Sequence, residues 1–240
     1  MKLKTGDGHL IYGILNVPKR QSARLIVFVN GLTGHKNEHI FYNAARFFSR
    51  HGLNTFRFDL YTGEKGGRLL SSCSVRTHAA DLDTVLRHFR KKFNNISVVG
   101  HSLGGPTILC ANTRLMDSIV LWDSSDMASL DDVTDGQERK LRYNKSLHAY
   151  IFDWGTEFVM SKKMAREFGS LNPVNLVRNI HKPLKVIYAE KGNVSAGKNY
   201  FKMANSPKDL VMIKRAGHTF DEEGTEERLF QESLKWIKKF

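Results

Sequence analysis

Residues 98–105 read Val-Val-Gly-His-Ser-Leu-Gly-Gly, which sets Ser102 in a G-x-S-x-G pattern. An apolar run, Ile96 to Val99, precedes it, and a second apolar stretch of helical character, Leu103 to Asn112, follows. A serine between two glycines at a strand-to-helix junction suits a tight turn that lifts the hydroxyl clear of a sheet. The N-terminus of the following helix favours negative charge at the same spot. The chemistry this suggests is nucleophilic attack. A serine hydroxyl is a poor nucleophile near neutral pH, so it needs a base within hydrogen-bond reach and an acid that orients the base. His218, in Ala216-Gly217-His218-Thr219 between the last expected strand and the last expected helix, is the candidate base. The candidate oxyanion hole combines the backbone N–H of Leu103, just after the serine, with that of Leu32 in the small-residue loop Asn30-Gly31-Leu32-Thr33-Gly34. Of the neighbouring histidines, His101 is expected to point its side chain away from that of Ser102. His35 and His39, nearer the Leu32 loop, are expected to shape a pocket.

These residues must be positioned by alternating elements. Leu25 to Val29 is a continuous apolar run of the kind buried on both faces of a sheet, and Asn54 to Leu60, Ile96 to Val99 and Ser118 to Trp122 read as further strands. Between them, Glu38 to Arg50 and Val75 to Phe93 carry apolar residues at helical spacing. Alternation of this kind demands a mostly parallel sheet with helices on both faces, because parallel neighbours need a crossover. Ligands collect at the carboxyl ends of such strands, where Ser102, the Asn30 to Gly34 loop and Asp123 all fall. The rhythm breaks over 124–182, with an acidic stretch from Asp126 to Asp135, polar helical spacing from Gln137 to Leu147, a hairpin from Ala149 to Met160 and a helix from Ser161 to Phe168. This segment reads as a small cap inserted into a core made of 1–123 and 183–240. The sheet resumes at Leu184 to Ala189 and Asp209 to Lys214, and an amphipathic helix, Thr225 to Phe240, closes the chain.

Composition bounds the function. With 240 residues and 41% hydrophobic content, one large α/β domain with a sizeable core is accessible. No window approaches the roughly 18 to 20 apolar residues of a membrane span. Residues 1–8 carry no apolar signal-peptide core, so a cytoplasmic location is expected. Cys73 and Cys110 make neither a disulfide framework nor metal-ligand spacing, and no metal or cofactor is expected. There are 37 Lys and Arg against 24 Asp and Glu, a net charge of +13. The bases are scattered along the chain, densest from Arg87 to Lys92, with no nucleic-acid-reading motif beside them. The field suits an anionic substrate or an acidic carrier protein rather than nucleic acid.

The stretches Val29-Asn30-Gly31-Leu32-Thr33-Gly34-His35-Lys36, Thr55-Phe56-Arg57-Phe58-Asp59, Gly100-His101-Ser102-Leu103-Gly104-Gly105 and Ala216-Gly217-His218 together resemble the α/β-hydrolase superfamily over nearly the whole chain. Within it they resemble small-capped serine esterases: feruloyl and cinnamoyl esterases, monoacylglycerol lipases, and luminescence-type acyl-transferases and thioesterases. The resemblance implies an α/β-hydrolase fold and hydrolysis of a carboxylic ester through an acyl-enzyme on Ser102. A thioesterase or acyltransferase is the alternative, with an ester or thioester as the small-molecule substrate. Two departures stand out. Asn30 stands where the family usually has histidine. Gly192, in Ala189-Glu190-Lys191-Gly192-Asn193, stands where the family usually has the acid. The acid is then expected from Asp123, from Glu190, or from Asp126, in that order, since some members carry it after the preceding strand. If none serves, the chain is a hydrolase-fold binding protein with impaired catalysis.

Overall fold

A computed structural model describes residues 1–19, 22–130 and 141–240. Its centre is an eight-stranded sheet in the order β1-β2-β4-β3-β5-β6-β10-β11. The six strands β4 (Asn54–Phe58), β3 (Arg24–Val29), β5 (Asn95–His101), β6 (Ser118–Trp122), β10 (Leu184–Lys191) and β11 (Lys208–Gly217) pair in parallel. Every residue of β4 and β6 is buried, β6 as a largely apolar run covered on both faces and β4 although it carries the polar Asn54, Thr55 and Arg57. At one edge β2 (Leu10–Asn16) pairs antiparallel with β4, and β1 (Lys2–Lys4) pairs antiparallel with β2. The strand at Lys2–Lys4 carries no sequence signal, because three residues with one inward side chain, Leu3, show no pattern until β2 supplies the ladder.

Two apolar layers cover the sheet. On one face α1 (His39–Arg50) and α7 (Thr225–Lys239) pack Phe41, Phe48, Leu229 and Ile237 against Phe28, Val99 and Trp122. On the other, α2 (Val75–Arg90), α3 (Gly104–Cys110) and α6 (Val194–Met203) bury Leu82, Phe89, Ile108 and Tyr200 against Val27, Val98 and Leu121. Helices α1, α2, α3 and α7 begin and end within a few residues of the bounds expected from the sequence.

Between β6 and β10 the chain forms a second, three-stranded sheet, β7 (Arg142–Asn144), β8 (Ala149–Asp153) and β9 (Glu157–Ser161), followed by α4 (Lys162–Glu167). Its hairpin turns between Asp153 and Glu157, as the sequence suggests. The helical spacing read from Gln137 to Leu147 is overturned where residues are described. Arg142–Asn144 is a strand, because Tyr143 pairs with Tyr150 across the ladder and their rings meet at 5.2 Å. Residues 137–140, and the acidic stretch beyond Leu130, lie outside the described residues. The insert is fastened to the core by the N-terminus of α2. There Glu167 Oε2 accepts from the Val75 N–H at 2.5 Å, and Ser161 Oγ donates to the Cys73 carbonyl. Short helix α5 (Pro173–Leu176) follows, and Val177 and Ile180 already lie in the core cluster with Leu184.

One buried group in α2 carries a stability cost. His78 is 0% exposed, stacks on Tyr61, and leaves both ring nitrogens without a partner among the described residues. Burial, reinforced by the Arg68 charge, pushes its pKa down to about 3. The folded protein therefore refuses a proton that the unfolded chain accepts near its ordinary value, and stability falls as pH drops below that value. At pH 5 this amounts to about 2 kcal/mol relative to pH 8. In His78→Phe, the loss of unfolding free energy between pH 8 and pH 5, measured by urea titration, should shrink by about that amount. An unchanged difference would show that the imidazole is solvated or protonated in the fold.

Candidate active site

Strand β5 runs into the turn at Ser102, whose φ is +52°, a region that non-glycine residues rarely adopt. The turn is held by the Ser102 N–H donating to the Trp122 carbonyl at 3.1 Å. The Ser102 carbonyl accepts from Gly105 N–H and Ser125 N–H. Gly104 is dictated by close approach, since a β-carbon there would stand 2.2 Å from the Val29 carbonyl oxygen. The Asn30 to Gly34 loop lies directly against the serine, for a β-carbon on Gly31 would stand 3.0 Å from Ser102 Cβ and 3.4 Å from Oγ. Asn30 stabilises that loop from within, donating from Nδ2 to the Gly34 carbonyl at 2.7 Å, so the departure from histidine leaves the loop a polar anchor. Among the described residues, neither the Leu32 N–H nor the Leu103 N–H donates to a protein acceptor.

Asp123 follows β6, the strand beside β5, and its side chain is fully buried. His218 follows β11, two strands further along the sheet. The structure brings the two together: His218 Nδ1–H donates to Asp123 Oδ2 at 2.5 Å. The rest of the carboxylate is occupied by backbone donors, Ala189 N–H on Oδ1 at 2.9 Å and Asn193 N–H on both oxygens at 3.0 Å. A buried carboxylate needs such donors to offset its desolvation. Asn193 adds a further tie from Nδ2 to the Asp123 carbonyl at 2.8 Å.

Gly192 explains how this carboxylate fits. A β-carbon at position 192 would stand 2.2 Å from Asp123 Oδ2 and 2.6 Å from Cγ. The position from which the family usually presents its acid is therefore filled by the Asp123 carboxylate itself. The other two acid candidates are engaged elsewhere. Glu190 Oε2 accepts from Arg215 N–H at 2.7 Å, and Asp126 Oδ1 accepts from Ala128 N–H at 3.3 Å.

His101 is closer to the site than its sequence neighbourhood suggests. Its ring centroid is 4.7 Å from that of His218, and its Nε2–H donates to the His218 carbonyl at 2.8 Å. Burial first, and then the neighbouring His218 charge, hold its pKa far below the ordinary value, so the donor stays neutral. His101 thus fixes the backbone that carries the His218 imidazole. Nothing in the sequence marks this contact or that of Asn193, since both arise where separate strands end side by side. His39 opens α1. Its nitrogens bond Asp221 at 2.7 Å and Glu226 at 2.6 Å, tying the start of α1 to the start of α7. Ser102 Oγ makes no hydrogen bond to His218 among the described residues. In unliganded sites that contact is often long and tightens around the substrate.

An apolar cluster joins the two candidate oxyanion residues to the segment between β6 and β10. Leu103, Met127, Phe152, Met160 and Met164 are among its buried members, with Leu32, Trp154 and Phe158 packed against the cluster. Phe152 and Phe158 stack at 5.4 Å. Cys73 lies in the same cluster, and burial pushes its thiol up to about 12, which keeps it unreactive.

A family model described as the alpha/beta hydrolase family matches residues 26–227. The chain belongs to the alpha/beta hydrolase family. Among solved structures, Est1E from Butyrivibrio proteoclasticus with ferulic acid bound is similar over 99% of both chains, with a TM-score of 0.81 and 18% identity. The alpha/beta hydrolase GrgF from Penicillium sp. sh18 is similar over 100% of this chain and 97% of its own, with a TM-score of 0.80 and 18% identity. The esterase domain of a Rhodothermus marinus protein covers the same shares at a TM-score of 0.77 and 18% identity. At such identities the likeness concerns the fold of the alpha/beta hydrolase. No curated protein matches the chain at a significant level.

The crowding at position 192 is directly testable. The short bond between His218 and Asp123 should give a far-downfield proton resonance in the NMR spectrum of the folded protein. Gly192→Ala should displace the carboxylate and abolish that resonance, as Asp123→Asn does. Its persistence in Gly192→Ala would mean that the loop yields and the pair does not depend on the glycine.

Proposed function

We propose that the chain is a serine hydrolase that cleaves a carboxylic ester through an acyl-enzyme on Ser102. The observation that carries this reading is the Asp123–His218 hydrogen bond, made possible by the missing side chain at Gly192. A chain that had simply lost its acid would leave His218 without a carboxylate. Because Nδ1 carries the proton donated to Asp123, the lone pair of His218 lies on Nε2, the nitrogen that acts as base. Ser102 Oγ attacks the acyl carbon as its proton passes to Nε2. The N–H groups of Leu32 and Leu103, without an acceptor among the described residues, bind the oxyanion of the tetrahedral intermediate. The imidazolium then gives its proton to the leaving alcohol. Water, deprotonated by the same nitrogen, releases the acid and restores the serine. Asp123 stays ionised throughout and stabilises the imidazolium. The cluster of Leu32, Met127, Phe152 and Phe158 supports an apolar or aryl acyl group, in line with the ferulic acid held by Est1E.

The test is turnover of p-nitrophenyl butyrate together with labelling by a fluorophosphonate probe. Ser102→Ala should abolish both, and Asp123→Asn should lower kcat by about 10⁴ with KM little changed. Equal rates for the wild type and Ser102→Ala would end the proposal. Thioester turnover far above oxygen-ester turnover would move the same residues to a thioesterase.

A further inference from the structure

The bases that look scattered in the sequence are gathered by the fold. Among the described residues, the stretches 17–19, 22–24, 50–54, 90–95 and 235–240 hold nine of the 37 Lys and Arg and none of the 24 Asp and Glu. Without them the chain is close to balance, with 28 bases against the same 24 acids. The stretches meet at one end of the sheet. The N–H groups of Asn94 and Asn95 donate to the Ala23 carbonyl at 3.1 and 3.3 Å. Asn95 Nδ2 donates to the Phe240 carbonyl at 2.7 Å, and Arg24 Nη1 to the Ile237 carbonyl at 2.6 Å. Asn54 Nδ2 reaches the carbonyls of Ser22 and Arg24 at 2.8 and 2.9 Å. Since Arg24, Asn54 and Asn95 begin β3, β4 and β5, this end lies opposite Ser102, which follows the last residue of β5. A strand of that length separates the two ends by about 20 Å.

Six exposed side chains at this end, Lys19, Arg50, Lys91, Lys92, Lys238 and Lys239, have no carboxylate at ion-pair distance among the described residues. Two carboxylates of this end, Asp117 and Glu232, are already engaged, by Arg90 at 2.6 Å and by Lys235 at 2.6 Å. Helix dipoles do not account for the excess. The C-termini of α1, α2 and α7 supply about half a negative charge each, well short of six positive ones. The charges also lie around the sheet and not along a line, because α1 and α7 cover one face and α2 the other. A duplex would track a line of phosphates, whereas a disc of charge about two packed layers across matches an extended anionic plane. Val17, 56% exposed beside Lys19, adds an apolar side chain suited to the headgroup region.

We propose that this end docks peripherally on a bilayer containing anionic lipid, with the Ser102 end turned away from the headgroups. An acidic carrier delivering an acyl group gains nothing from these charges, since they lie at the far end from the serine. The full-length protein should sediment with phosphatidylserine–phosphatidylcholine vesicles and not with phosphatidylcholine vesicles, and 1 M salt should release it. Lys91→Ala/Lys92→Ala and Lys238→Ala/Lys239→Ala should each weaken partitioning by about tenfold or more. Lys162→Ala/Lys163→Ala removes the same charge from α4 in the insert and should leave partitioning within about twofold of the wild type. Equal losses in all three double variants would reduce the effect to net charge and overturn the proposal. So would equal binding to both vesicle types, no binding to either, or displacement by a short DNA duplex at matched phosphate concentration. If a double variant fails to fold by circular dichroism, the lipid contrast of the wild type and the α4 control decide the matter.

Discussion

A single buried carboxylate organises the site. Asp123 has no solvent exposure, and its two oxygens accept from β10, from the residue after Gly192 and from His218. Desolvating a carboxylate costs several kcal/mol, so each donor is needed and each is held where the charge needs it. The donors come from segments that are distant in the chain: Ala189 in β10, Asn193 at the start of α6, and His218 after β11. Their convergence on one group fixes the ends of three neighbouring strands relative to each other. The positive φ of Asp123, 38°, is part of the same arrangement, since it turns the chain at the end of β6 so that the carboxylate lies across β10.

The pair of Asp123 and Gly192 shows how a functional group can change its origin in the sequence while its surroundings survive. Only one carboxylate fits the space beside His218, as the 2.2 Å approach to a β-carbon on residue 192 makes plain. An aspartate at 192 together with Asp123 would place two like charges in one buried space, which ordinarily forces one of them to hold a proton. Glycine at 192 therefore does more than leave a gap, because it is the residue that lets the carboxylate approach from the neighbouring strand. The two departures from the family pattern are unequal for the same reason. Asn30 keeps a hydrogen bond within its own loop, whereas Gly192 demands a compensating group from another strand.

What was legible in the sequence follows the range of the interaction that encodes it. The buried strands and the helices of the core are written in local periodicity, so Leu25 to Val29 and Val75 to Phe93 appear close to their true bounds. The turn at Ser102 is local too, because glycines at 100 and 104 flank it in the chain. Asp123 is marked by its place at a strand end, but its donors are not, for Ala189 and Asn193 contribute backbone N–H groups that any residue possesses. The contact of His101 is hidden in the sequence for a related reason. Its position beside Ser102 says where its Cβ points, yet its partner is a backbone carbonyl 117 residues away. Arg142–Asn144 took on strand structure because β8 and β9 offered a ladder, a tertiary effect that outweighed polar helical spacing.

The distribution of charge is the least visible property in the sequence, and the topology says why. In a sheet whose strands run in parallel, each crossover helix returns the chain to the end where the next strand begins. Helix C-termini and strand starts therefore share one end of the molecule, while the site occupies the other. Bases placed at the ends of α1, α2 and α7, tens of residues apart in the chain, are neighbours in the fold, tied by Arg24 and Asn95. A window sliding along the chain registers each cluster as an ordinary solvated helix end, and only the sheet order adds them together. The same rule that concentrates chemistry at the carboxyl ends of parallel strands thus leaves the opposite end free to hold charge without disturbing the site. With about 20 Å and a closely packed core between the two ends, substitutions at one should leave the other intact.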